Sequence, residues 1–428
     1  MRAAFYECDI TPPLGGFVWG HYREVRPMEV HDKLYAKAVV IEEGGEVAAI
    51  VVVDCCALPP EMHDAVTKRI TELTGIPAER VCLASNHTHW GAPICDSPEI
   101  DCYADPTYRD VCFRLCADAV VLAYHRLAEV EVSFGQSKIN GYSFCRNCEL
   151  LDGTYRTFPA SYFGKVKRLL DEPDEDFPMM LFTHEGRTIG AISSIALHQC
   201  TAGRLPVVGY TGDYASELSK RLKERYGPDF VSLFLIGTCG DVNHNPPDPK
   251  KIKAGHRELG NAFADFFAVS AAAAAPIGEG GVSVRKEAVR VACRSSDMTP
   301  EARAKLKHFL ESTPDFRARN MLHYVSHKRP DSKELYVQCF RIGDVLIACL
   351  PGEVYTAFGR RIKAASPFAH TIVVENCNSY CGYIPTPECF DPEHDDLYET
   401  SLCLHSCLVP EAGDELVART LALAESLK

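Results

Sequence analysis

The stretch ASNHTHWGAP, residues 84–93, sets His87 and His89 one residue apart where an apolar run gives way to a Trp-Gly-Ala-Pro breaker. While the backbone stays extended, residues i and i+2 point to the same side, so both imidazoles could face one site. Imidazole suits a divalent transition metal such as zinc, and a catalytic zinc keeps one position open for water. One H-x-H pair is weak evidence by itself, so the question is what else the chain can bring to it. His198 follows the run SSIAL, and Glu353 follows VLIACLPG. These two could complete a set with His87, leaving His89 to support the site or transfer protons. Each has a plainer reading: His198 as a satisfied core histidine, and Glu353 as a carboxylate favouring a helix start. Asp54 closes IVVVD, Asp241 and Asn243 stand in TCGDVNHNP, and Tyr380 and Tyr383 stand in NSYCGY. The run at 240–245 also reads as an Asn/Asp-rich turn.

These residues need a scaffold that gathers strand ends, and the pattern supplies one. LYAKAVVIEE and VAAIVVVDCC read as strands about a Gly-Gly turn. PEMHDAVTKRITELTGI then reads as a helix with Pro near its start and Gly at its end. VCLAS, TIGAISSIAL, FVSLFLIG, LYVQCFRIGDVLIACL and TIVVEN read as further strands. PTYRDVCFRLCADAVVLAYHRL, GDYASELSKRLKERYG and HRELGNAFADFFAVSAAAAA read as helices. This alternation predicts an α/β fold, with mixed β-sheets covered by helices, in a single large catalytic domain over 1–428. A charged helical excursion is expected at about 299–333, and no internal repeat is visible in the sequence. In such sheets functional groups collect at the carboxyl ends of strands, where these polar clusters fall.

The chain has 428 residues, 46% hydrophobic and 24% charged, with net charge −13. No basic block accompanies that charge, which excludes a nucleic-acid partner and an anionic membrane surface. No apolar run is long enough to span a bilayer, so no membrane insertion is expected. The N-terminal residues lack the apolar core of a secretory signal, so a cytoplasmic location is expected. The twenty cysteines are scattered singly through apolar runs and read as reduced, buried thiols, with an iron–sulfur or structural zinc cysteine site as the alternative.

Taken together, the clusters resemble the catalytic domain of the neutral ceramidase family, zinc-dependent amidases that release a fatty acid from N-acyl-sphingosine. DITPPLG followed by HDKLYAKAVVIE is similar to that family's start. NHTHWGAP parallels its T-H-T-H-S-G-P, and SSIALHQC parallels its strand ending in His-Pro-Thr. GDYASEL parallels its Ala-Asp-Tyr-Pro helix start, and GTCGDVNHN its Gly-Asn/Asp-x-Ser-Pro-Asn loop. LPGEVYTAFGRRI parallels its Pro-Gly-Glu motif, and NSYCGYIPTPECF through LYE its closing tyrosine motif. The resemblance implies one Zn2+ per chain held by His87, His198, Glu353 and Tyr383, with Tyr380 as the alternative tyrosine; another divalent metal stays open. It implies His89 beside the metal's water and Arg146, in NGYSFCRN, lining the site. Asp241 is a weaker catalytic candidate. Trp90, Asn243, Tyr380 and Tyr398 are the expected substrate-pocket residues.

The sequence departs from the family's pattern where it matters for substrate. Asn243 replaces the serine of the Gly-Asp-x-Ser motif, Trp90 stands where a small serine is usual, and His-Pro-Thr has become His-Gln-Cys. The family's secretion signal and C-terminal immunoglobulin-like domain are not read in this chain. The expectation is therefore a zinc-dependent hydrolase that cleaves an amide bond of a small soluble substrate through metal-activated water. Arg146 would hold a substrate carboxylate or carbonyl. Alternatives are an ester hydrolase, a metal-dependent lyase or isomerase on a small polar or sugar-like compound, and a catalytically inactive metal-stabilised binding protein. No G-x-S-x-G elbow supports serine catalysis. A homo-oligomer is left open.

Overall fold

The computed structural model describes all residues except 204, 206, 252, 314 and 392–396. Its architecture is one topological unit used three times. Each unit has a leading strand, an antiparallel hairpin, a helix, a parallel edge strand and a second helix.

In the first unit the leading strand Arg2–Asp9 pairs with the hairpin Tyr35–Glu43/Glu46–Val53. Helix α1 (Met62–Thr74) then crosses to Val81–Ser85, which lies parallel to Glu46–Val53, and α2 (Pro106–Tyr124) follows. In the second unit Glu131–Lys138 pairs with the hairpin Asp176–His184/Arg187–Ile195. Helix α3 (Asp213–Tyr226) leads to the parallel strand Val231–Ile236, and α4 (His256–Ala272) follows. The third unit has Val282–Ala292, the hairpin Ser332–Ile342/Val345–Cys349, the parallel strand His370–Val374 and the closing helix α8 (Ala412–Ser426). Two helices on its hairpin arm, α5 (Pro300–Ser312) and α6 (Phe316–Val325), form the charged excursion, and α7 (Thr356–Ala365) makes the crossover. The hairpins turn tightly because positive φ is available: Gly44 at 62° with Gly45 at 85°, Glu185 at 49° with Gly186 at 76°, and Gly343 at 61°.

The packing follows the repeat. One face of each sheet takes its own helix pair: Val51 and Leu83 meet Val66 and Val120, Leu235's neighbour Phe234 meets Tyr214 and Phe263, and Leu346 meets Phe358 and Leu416. The opposite faces of all three sheets share one central core, where Phe5, Val39 and Ile50 join Met180, Ile192 and Leu233, and Phe340, Ile347 and Ile372. Strands buried on both faces explain the near-continuous apolar runs of the sequence. The repeat was not visible in the sequence because it lives in topology, while the side chains of the three units differ. Among the described residues no helix is long and apolar enough to cross a membrane.

Candidate metal centre

Each unit sends a strand end toward one point, and each contributes one polar group there. His87 comes from the end of Val81–Ser85, His198 from the end of Arg187–Ile195, and Glu353 from the turn after Val345–Cys349. All three are at most 2% exposed. The His87 and His198 Nε2 atoms face each other at 3.0 Å. Glu353 Oε2 lies 3.3 Å from the first and 3.6 Å from the second.

The outer nitrogens fix what the inner ones carry. His87 Nδ1 donates to the Cys56 carbonyl at 2.7 Å, and His198 Nδ1 donates to the Cys239 carbonyl at 3.3 Å. With the proton on Nδ1, both Nε2 atoms present lone pairs inward. Glu353 Oε1 accepts from Tyr380 Oη at 2.7 Å, whereas Oε2 is buried and makes no hydrogen bond. Burial, then His87 and Arg146, push the His198 imidazole well below its usual range toward the neutral form. Burial opposes the Glu353 anion, whereas positive charge on the imidazole side of Oε2 and the Tyr380 hydroxyl on Oε1 favour it and hold the carboxyl well below its usual range. Two imidazole nitrogens and a carboxylate oxygen thus converge within 4.8 Å of one another, and the carboxylate oxygen has no hydrogen-bond partner. Such an N/N/O set fits a divalent cation of the zinc type, and unpaired buried groups of this kind are otherwise costly.

The backbone corrects one expectation. The strand ends at Ser85, and His87 adopts the left-handed region at φ 66°. His87 and His89 therefore reach one site through a turn, not through the two-residue period of a strand. Asp54 holds that turn: its Oδ1 accepts from Asn86 Nδ2 at 2.6 Å and its Oδ2 from Tyr35 N at 2.8 Å. Burial pushes Asp54 up to about 6. The His89 ring centroid lies 5.1 Å from that of His87 and 5.2 Å from that of His198, and its buried Nε2 makes no hydrogen bond.

The three strand ends form the floor of a cavity of about 580 Å³. Trp90, Asn243, Tyr380, Tyr383 and Tyr398, all expected from the sequence, line it. This chain has the neutral ceramidase fold. A neutral ceramidase from Pseudomonas aeruginosa superposes with TM-score 0.73 at 19% identity, covering 100% of this chain and 74% of that one. A ceramidase complexed with C2 superposes with TM-score 0.75 at 18% identity, covering 100% of this chain and 75% of that one. Neither a family model nor a curated protein matches the sequence.

On this ceramidase scaffold the two tyrosines have different partners. Tyr383 is in parallel register with Glu353, but its hydroxyl meets Tyr398 Oη at 3.2 Å. Tyr380 is the tyrosine bonded to Glu353. Arg146 lines the cavity, as expected, with its side chain tied to the protein: Nε donates to Glu399 Oε1 at 2.8 Å and Nη2 to the Gly240 carbonyl at 2.6 Å. Its guanidinium lies over the rings of Tyr383 and Tyr398 at 5.4 and 5.1 Å. Arg146 thus fixes the tyrosine wall, and two of its three nitrogens are committed to the protein.

Asp241 lies elsewhere. Its Oδ1 accepts from Thr356 N at 2.8 Å and Thr356 Oγ1 at 2.7 Å, at the start of α7, and it lines a separate smaller cavity beside Cys145 and Tyr355. The helix-start carboxylate of this region is Asp241, while Glu353 faces the centre. Sequence reasoning missed the loop GFVWGHYRE, which supplies Trp19, His21 and Tyr22 to the cavity, and the Glu99–His405 pair at 3.0 Å. The loop's density of aromatics and a histidine directly after Gly20 was the available signal. Tyr22 stacks on Phe316 of α6 at 3.9 Å, which brings the charged excursion over the cavity.

Proposed function

We propose that this protein is a zinc-dependent hydrolase that cleaves the amide bond of a small soluble N-acyl compound. The observation that carries this reading is the convergence of the His87, His198 and Glu353 lone pairs on the floor of an aromatic-walled cavity. Those three residues would hold the ion. When bound, zinc supplies Lewis acidity that polarises the scissile carbonyl and lowers the pKa of its water.

The other roles follow from the side chains. Tyr380 orients Glu353 through Oε1, which leaves Oε2 directed at the two imidazoles. His89, with a buried Nε2 committed to no protein group, is placed to hydrogen-bond the reacting carbonyl or carry a proton to the leaving amine. Arg146 and Glu399 hold the Tyr383–Tyr398 pair, whose hydroxyls give the wall a polar strip. Trp19, Trp90, Tyr22 and Phe316 provide apolar surface for the acyl group. Trp90 narrows the cavity where the resembled family has a small residue, and this favours a compact acyl substrate over a membrane sphingolipid.

A panel of N-acyl amino acids, N-acyl amines and short acyl esters, run on zinc-loaded protein and on His198→Ala, tests the reading. Turnover of an N-acyl compound that disappears in the variant supports it. Zinc-loaded protein that turns over no acyl compound sinks it.

A further inference from the structure

Behind the cavity floor, three thiols meet in the central core. Cys82 lies in Val81–Ser85, Cys349 ends Val345–Cys349, and Cys377 follows His370–Val374. All three are fully buried, and their Sγ atoms lie within 4.8 Å of one another. They come from two different sheets, which touch here through the isolated bridge between Ala84 and Cys377. No carboxylate or imidazole belongs to the group. The nearby His63 is occupied at both nitrogens, by Asp64 Oδ1 at 3.2 Å and by Lys286 Nζ at 2.6 Å. Burial opposes a Cys82 thiolate, but hydrogen bonds from the Cys349 and Cys377 thiols, with the charge of Lys286, outweigh it and hold Cys82 well below the usual thiol range, while Cys349 and Cys377 are held well above it.

We propose that Cys82, Cys349 and Cys377 form a second metal site, which takes one Cu+ ion in trigonal sulfur coordination. Three soft sulfur donors select thiophilic d10 ions. A structural zinc takes four ligands, and this group offers three. Each thiol that binds the ion releases its proton to solvent. The site has a structural consequence, because its three segments continue into the catalytic floor. His87 follows Cys82 by five residues, Glu353 follows Cys349 by four, and Tyr380 follows Cys377 by three. An ion here would pin those segments to one another from behind, across the seam between two units. The proposal does not depend on the hydrolase reading, since none of the three cysteines lines the cavity.

Titration of the purified full chain with Cu+, under anaerobic reducing conditions and against a competing chelator, tests the site; Zn2+ is run in parallel. Wild type, His198→Ala and Cys339→Ala (a buried cysteine outside the group) should each hold about one Cu+ with a thiolate-to-copper absorption band. Cys349→Ala and Cys82→Ala should lose both the ion and the band. If one alanine variant fails to fold, the other variant and the wild-type stoichiometry still decide. Wild-type protein that loses Cu+ to the chelator overturns the proposal, leaving three packed thiols acting as small apolar groups. Retention of the band in a folded Cys349→Ala also overturns it, and preference for Zn2+ overturns the assignment to copper.

Discussion

His87 and His198 present their Nε2 atoms to each other at 3.0 Å, each with its opposite ring nitrogen turned to a backbone carbonyl. With Glu353 Oε2 beside them, these three atoms form a group that could hold a metal ion. The three residues come from three repeats of one topological unit, so the centre sits where the units meet. The protein builds it from strand ends that emerge from the shared core.

The two tyrosines should separate in a direct comparison. Tyr380→Phe removes the hydrogen bond to Glu353 Oε1, and zinc affinity or kcat/KM should fall about 10- to 100-fold, the usual effect of losing a group that orients a ligand. Tyr383→Phe removes a bond to Tyr398 and should act mainly on KM. Zinc-binding titrations with steady-state kinetics check both; a Tyr380→Phe variant with zinc affinity and kcat/KM both equal to wild type would contradict this.

Asp241 should prove structural. Asp241→Ala deletes both bonds to Thr356 at the start of α7 and should cost about 1–2 kcal/mol of stability, as loss of a helix cap does. Urea denaturation checks the cost. Zinc-loaded activity should stay within a few-fold of wild type, and a collapse of kcat in stable Asp241→Ala protein would restore Asp241 as a catalytic group.

The Glu99–His405 pair sets an acid limit. Burial pushes Glu99 up, but its contacts with His405 and Ser97 outweigh this and hold it at about 2, below its ordinary value of 4.5. A depressed carboxylate pKa gives stability that is present above the unfolded value and lost as pH falls toward the folded one. Between about pH 5 and pH 3 the pair should therefore lose about 2 kcal/mol, and Glu99→Gln should lack that part of the acid sensitivity. Urea midpoints at the two pH values, with parallel slopes in both proteins as the contrary result, check this.

Trp90 should govern acyl size. Trp90→Ser removes a ring packed 4.6 Å from His21 and widens the cavity. Longer N-acyl chains should gain about 10-fold in kcat/KM relative to short ones, the order of selectivity that a few methylenes confer. An unchanged chain-length profile would place the specificity elsewhere.

The elements were largely legible because both periods were clean: α1 to α4 and the main hairpins lie where the apolar pattern puts them. His87, His198 and Glu353 were legible because each is the first unusual polar group after an apolar strand. Three things were not. The geometry at His87 depends on a left-handed residue whose turn Asp54 holds through Asn86, a contact across 32 residues that no local pattern encodes. Arg146 and Asp241 looked available for chemistry, yet Glu399 and Thr356 occupy them, and such pairing is decided by tertiary contacts alone. Trp19, His21 and Tyr22 sit in a coil without period, so nothing in the spacing aims them at a cavity.

The metal content of purified protein, compared with that of His198→Ala, tests the central claim most directly. Wild type should hold about one zinc per chain through dialysis, and His198→Ala should stay folded while losing both the zinc and hydrolysis. Wild-type protein that is folded, free of divalent metal and unable to take up zinc would contradict it.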